Sequence, residues 1–386
     1  MKEIGIYIHI PFCKRKCFYC DFCSFECDKS IHKNYTEALI NEIRAFKIDS
    51  NREKDLYDDK NLIVKTLYFG GGTPSYIDED YIEKIMNELK SKYKFSQDIE
   101  ATIEVNPGTA SYQKIKRYKE IGFNRISIGL QSTNDRLLNL IGRIHSYDEF
   151  EETYRIAREV GFKNINVDLM IGLPTQTLED VKESLNKIIQ KNPEHISVYS
   201  LILEENTKLK EMIESKKLEL PDENLERKMY WLVKNTLEKH RYKQYEISNF
   251  SKVGYESKHN TDCWKQKEYL AFGLAAHSYI DDVRYSNTCD LSKYIQDNIN
   301  MHNNKEVEEI QDKQIKMNEF VILGLRMTNG FSIKDFEKKF GEKFEEKYKN
   351  QIDKLVKMEL IQFKNNNISL SKKGIDFANI VWCEFV

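Results

Sequence analysis

From Ile4 to about Tyr199, short apolar runs alternate with longer stretches whose apolar positions recur every three or four residues. The runs predict strands over Ile4–Ile10, Thr66–Phe69, Ala101–Val105, Arg125–Leu130, Asn164–Met170 and His195–Tyr199. The longer stretches predict helices over Tyr35–Phe46, Tyr81–Tyr93, Ala110–Ile121, Tyr147–Val160 and Leu178–Ile189. In Tyr147–Val160, for example, Phe150, Tyr154, Ile156, Ala157 and Val160 gather on one face. This rhythm implies parallel strands joined by right-handed crossovers. Six such units imply an α/β fold, a partial (β/α)6 barrel over residues 1–205. In parallel barrels the chemistry collects at the carboxyl ends of the strands.

The register changes after about Leu203. Asp222–Lys239 predicts one long helix inside an α+β extension spanning residues 206–310. Residues 311–386 predict a small winged-helix-like domain of three helices and a hairpin. Ser332 and Asp335 have the spacing of a capping box for its second helix. Phe344–Met358 forms its third, with Tyr348, Ile352, Leu355 and Val356 to one side, and Asn365-Asn366-Asn367 forms the hairpin turn. Asp49–Lys60 reads as a charged loop.

Charge argues against nucleic acid as a partner. Sixty Lys+Arg against 62 Asp+Glu leave a net of -2, and the lysines of the third C-terminal helix are offset by acidic neighbours. No apolar run reaches the length that spans a bilayer, about 18 residues or more. Five of the eight cysteines crowd between positions 13 and 27, unlike a spread disulfide scaffold, which implies a reducing, cytoplasmic setting.

That crowding carries the first chemistry. Cys13, Cys17 and Cys20, spaced C-x3-C-x2-C, follow directly on the first strand. Thiolates hold iron–sulfur clusters, and three of them leave the fourth iron of a 4Fe–4S cubane open. A zinc site using Cys23 or Cys27 is the alternative, but zinc knuckles usually lie a dozen or more residues apart. Polar groups then follow successive strands. Gly70-Gly71-Gly72-Thr73-Pro74 offers either close backbone approach to a ligand or an ordinary tight turn. Glu104 suits a cationic ligand, or is a solvated strand end. Gln131 can both donate and accept, Arg143 can grip a carboxylate with two hydrogen bonds, and Asp168 suits ribose hydroxyls.

The string Tyr7-Ile8-His9-Ile10-Pro11-Phe12-Cys13, with the cysteine spacing and GGGTP, resembles the radical S-adenosylmethionine (SAM) superfamily. Within it, the resemblance is to the oxygen-independent coproporphyrinogen III oxidase family and its heme-chaperone branch. It implies a 4Fe–4S cluster on Cys13, Cys17 and Cys20, and SAM bound by Tyr7, Tyr19, Gly71, Gly72, Thr73, Glu104, Gln131, Arg143 and Asp168. It further implies that one electron from the reduced cluster cleaves the sulfonium to methionine and a 5′-deoxyadenosyl radical. An electron donor such as flavodoxin or ferredoxin and a heme-acceptor protein, which can be membrane-associated, are the implied partners. Tyr245–Phe250, His259-Asn260-Thr261-Asp262-Cys263-Trp264 and Phe272–Ser278 also resemble family motifs. The middle one is tied to heme in the heme-chaperone branch, which makes His259 the candidate axial ligand. Cys263, standing where tyrosine is usual, is the other. Against the decarboxylase branch stand Phe22, where that branch has a fourth cysteine, and the six residues before Tyr7 in place of a longer segment. A heme-degrading radical methyltransferase of similar build is a third alternative.

Overall fold

The computed structural model describes residues 2–47, 62–300 and 305–386; the charged loop expected over residues 49–60 lies outside them. Six parallel strands run in chain order: Lys2–Ile10, Leu62–Gly71, Lys94–Val105, Arg125–Gln131, Ile165–Ile171 and His195–Ser200. Each expected strand is present; five are longer than expected, and the fifth is shifted by one residue, from Asn164–Met170 to Ile165–Ile171. Helices return between them, and local chemistry fixes their ends. Ser146 with Glu149 and Thr177 with Asp180 form reciprocal capping boxes, and Gly122 closes Tyr112–Ile121 in the left-handed region.

The barrel wall follows from strand periodicity. In the fourth strand Ile126, Ile128 and Leu130 point outward into the helical layer and are fully buried. Arg125, Ser127, Gly129 and Gln131 point inward and line a cavity. The fifth strand repeats this, with Val167 and Leu169 outward and Asn166, Asp168 and Met170 inward. The inward faces of these two strands are therefore largely polar, unlike the apolar packing that usually fills a parallel barrel.

The barrel stays open. Beyond the first strand the sheet continues through parallel Tyr269–Phe272 to antiparallel His277–Ile280, Val283–Ser286 and Glu306–Ile310. Beyond the sixth it continues through antiparallel Asn249–Ser251. A separate core built on Met317, Val321, Phe336, Phe344, Tyr348, Leu355 and Phe385 holds the C-terminal part together. There the third helix breaks at Tyr348 into Phe344–Lys347 and Lys349–Lys357, and Val356 faces solvent instead of the core. Ser332 caps Ile333–Phe340 by accepting from the Asp335 N–H, one half of the expected box. Asn365 and Asn366, both at positive φ, make the hairpin turn. Among the described residues no helix is long and apolar enough to cross a membrane.

Candidate active site at the carboxyl end of the barrel

A cavity of about 380 Å³ opens at the carboxyl ends of the strands. It gathers Cys13, Cys17, Cys20, Tyr19, Gly71, Gly72, Thr73, Glu104, Gln131, Arg143 and Asp168, residues up to 155 positions apart. Eleven of the thirteen residues expected from sequence thus line one space. The eight cysteines are free thiols, and among the described residues no three His, Cys, Asp or Glu side chains converge on a single-ion site. Thiols that each reach a separate iron need not converge on a point, so the three-cysteine donor set fits a cluster. Cys23 instead lies beside Cys289, and Cys27 beside His32.

The cysteine loop is clamped from two sides. Arg15 donates to the carbonyls of Gly142 and Arg143, and the Phe18 N–H donates to the carbonyl of Ile141. On the other side His9 bridges Tyr7 and the loop. Its Nε2 donates to the Cys23 carbonyl at 2.8 Å, so its Nδ1 accepts from the Tyr7 hydroxyl at 3.1 Å. Tyr7 itself does not line the cavity; it stacks on Tyr68.

The glycines have a packing reason that the sequence did not reveal. A Cβ on Gly71 would stand 2.5 Å from the His9 ring, and one on Gly72 would stand 2.9 Å from the Pro11 backbone. They let the second strand press against the chain entering the cysteine loop. Thr73 then donates to Cys13 Sγ at 3.5 Å and accepts from Asn106 Nδ2 at 2.8 Å.

Arg143 is the hub. It donates to Cys17 Sγ at 3.4 Å, to Asn106 Oδ1 at 2.6 Å and to the Gly129 carbonyl at 2.5 Å, while its buried Nε is unpartnered. Glu104 accepts from the Tyr68 hydroxyl at 2.8 Å. Burial raises its pKa to about 7, with Asp168 adding to the rise and Tyr68 opposing it. Burial also pushes Asp168 up, opposed by hydrogen bonds from Asn166 (2.8 Å) and Ser127 (3.2 Å). Gln131, at φ +72°, holds an uncommon backbone for a non-glycine residue where the fourth strand slips register against the fifth.

Behind Asp168 runs a chain that sequence reasoning missed. Asn166 Oδ1 accepts from His195 Nδ1 at 2.6 Å, so His195 Nε2 accepts from the Tyr245 hydroxyl at 2.8 Å. Burial holds His195 neutral. The spacing of Asn166 and Asp168 on one inward face was the available signal.

His259 does not line the cavity. It lies in the helix Lys258–Trp264, 8% exposed, with Nδ1 2.9 Å from the Thr66 hydroxyl and its ring stacked on Tyr68. Burial lowers its pKa to about 4. Its neighbour Asn260 reaches the cavity instead. The Trp264 ring is covered by the Arg326 guanidinium, 4.4 Å from the ring centroid, and burial pushes the Cys263 thiol up to about 12.

Known proteins resemble this chain in sequence and in fold. Residues 7–188 match the radical SAM superfamily model, and residues 311–377 match the HemN C-terminal domain. The chain is 37% identical to the heme chaperone HemW of Bacillus subtilis over 98% of each chain. It is 34% identical to the HemW of Lactococcus lactis, over 100% of this chain and 98% of that one. The solved structure of the coproporphyrinogen III oxidase HemN from Escherichia coli superposes with a TM-score of 0.85 at 23% identity, covering 100% of this chain and 90% of that one. That likeness concerns the fold.

Proposed function

Because this chain belongs to the heme chaperone HemW family of radical SAM proteins, we propose that it holds a 4Fe–4S cluster, binds SAM beside it, and carries heme to an acceptor protein. The observation that carries the reading is the single cavity joining three free thiols to Thr73, Glu104, Gln131, Arg143 and Asp168. Its volume of about 380 Å³ falls in the range of small-molecule sites and suits a ligand built of a nucleoside and an amino acid.

When bound, the cluster supplies an electron to the sulfonium of SAM. The chain's own residues do the rest. Cys13, Cys17 and Cys20 hold three irons. Arg143, already spanning Cys17 and Asn106, offers a fixed guanidinium to the cofactor carboxylate. Glu104 faces its cationic groups and Asp168 its ribose, held in line by Asn166 and Ser127. The glycine turn closes one wall and Tyr19 another, which limits water.

The relatives' name and the His259–Trp264 segment support heme as the cargo. His259 remains the proposed axial ligand, and its burial means that ligation requires the helix Lys258–Trp264 to withdraw from the barrel. Anaerobic hemin titration followed at the Soret band tests this. Saturation in the wild type and weakened binding in His259→Ala are expected; a wild type that does not saturate would sink the heme assignment.

A further inference from the structure

Arg125 heads the large side chains that are fully buried among the described residues, at 2% exposure. It begins the fourth strand, points inward, and lines the cavity. Its Nε is buried without a partner, and the guanidinium makes no hydrogen bond or ion pair to any described residue. A buried charge is ordinarily paired, because leaving water without a partner costs several kcal/mol. Glu104 and Asp168 feel its charge without touching it. The two histidines nearest it are neutral, held so by burial with Arg125 adding to the effect. Of the three arginines that line the cavity, Arg15 and Arg143 are hydrogen-bonded, and Arg125 is the one whose guanidinium has no partner among the described residues.

A second donor faces the same space. Asn260 lines the cavity from Lys258–Trp264, and its side-chain amide makes no hydrogen bond to the described residues. In this conformation, before any withdrawal of the helix, hydrogen bonds anchor it. Glu100 accepts from the backbone N–H groups of Lys258 and His259 at 3.1 Å each, and His259 is fixed against Thr66. His259 seats the helix, and Asn260 is the residue presented to the barrel.

We propose that Arg125 and Asn260 form a carboxylate-binding subsite at the floor of the cavity, distinct from the cofactor's own contacts. This rests on the cofactor reading above in one respect. If Arg143 takes the cofactor carboxylate while Glu104 and Asp168 take its amino and ribose groups, Arg125 is the guanidinium left unmatched. A carboxylate on a short flexible arm matches its charge and its planar donor fork. The propionate of a porphyrin and a small free carboxylic acid share that chemistry.

The test uses full-length, cluster-reconstituted protein with SAM present and two probes. Saturation-transfer NMR with propionate should give a signal in the wild type that is lost in Arg125→Gln and reduced in Asn260→Ala, a partly exposed position where misfolding is less of a concern. Circular dichroism and melting check that each variant is folded, and Arg125→Lys, which retains the charge, should recover part of the signal. Hemin and its dimethyl ester are then titrated in parallel. A hemin-to-ester affinity ratio of about tenfold or more in wild type, falling toward one in Arg125→Gln, identifies the carboxylate as a porphyrin propionate. A ratio near one in wild type, with the propionate signal still dependent on Arg125, supports the subsite and assigns it to a free acid. No propionate signal in wild type, or an equal one in folded Arg125→Gln and Asn260→Ala, overturns the subsite. Failure of hemin to bind at all counts against the heme reading alone, because the propionate arm stands without it.

Discussion

Arg143 Nη1 lies 3.4 Å from the Sγ of Cys17, joining the loop that carries the thiols to a residue 126 positions later. The same guanidinium satisfies Asn106 Oδ1 and the Gly129 carbonyl, so site and wall depend on one side chain. Arg143→Ala leaves those buried acceptors empty and should cost about 2–4 kcal/mol in urea unfolding of the apo-protein. Arg143→Lys keeps the charge without the fork and should weaken SAM about tenfold in equilibrium dialysis. A lysine variant that binds SAM like wild type would remove the carboxylate role.

Iron analysis separates the thiols. Serine at Cys13, Cys17 or Cys20 should abolish the reconstituted cluster. Serine at Cys23, Cys27 or Cys263 should leave it intact, since those thiols sit beside Cys289, beside His32 and on the half-buried helix Lys258–Trp264, outside the cavity lining. Cluster loss on changing Cys23 alone would show that the ligand set is wrong.

Glu104 gives the site a pH signature. Its pKa in the fold, about 7, exceeds the ordinary 4.5, so it favours the apo fold fully below 4.5 and that support is lost as pH rises through 7. A cationic ligand reverses the preference, because it stabilises the carboxylate. SAM affinity should therefore rise about tenfold per pH unit between pH 5 and 7 and then level off. Glu104→Gln should bind more weakly with a flat profile. A sloping profile in that variant would place the titrating group elsewhere.

Tyr245→Phe tests the chain behind Asp168. It removes the proton donor to His195 Nε2 and the acceptor of the Ser257 N–H, both buried. The expected cost is about 1–2 kcal/mol in urea unfolding. The loss of SAM affinity should be smaller than that in Asp168→Ala, because Asn166 and Ser127 still hold the carboxylate.

Strand order and strand-end chemistry were legible because apolar runs and polar ends repeat at a fixed rhythm. Cys13, Thr73, Glu104, Gln131, Arg143 and Asp168 each follow or close a strand and so converge without knowledge of any contact. What lay inside the wall was not legible. Arg125 opens its run and reads as a flanking charge, and its burial depends on pairing with a strand more than twenty residues earlier. Tyr245 and His195 meet across 50 positions. His259 read as a candidate ligand from its motif, and only tertiary packing turns its Nδ1 to Thr66 and its ring to Tyr68. The break at Tyr348 has no glycine or proline to announce it; that ring is buried in the aromatic cluster of Phe336, Phe344 and Phe385.

The central claim is a heme carrier built on a radical SAM site, and a parallel product assay tests it most directly. Anaerobically reconstituted protein with reductant and SAM is given coproporphyrinogen III in one arm and hemin in the other. The account predicts saturable Soret binding of hemin, one per chain, and no protoporphyrinogen. Phe22, 63% exposed at the cavity mouth, supplies no thiol where the decarboxylase pattern has one. SAM-dependent formation of protoporphyrinogen, without saturable hemin binding, would contradict it.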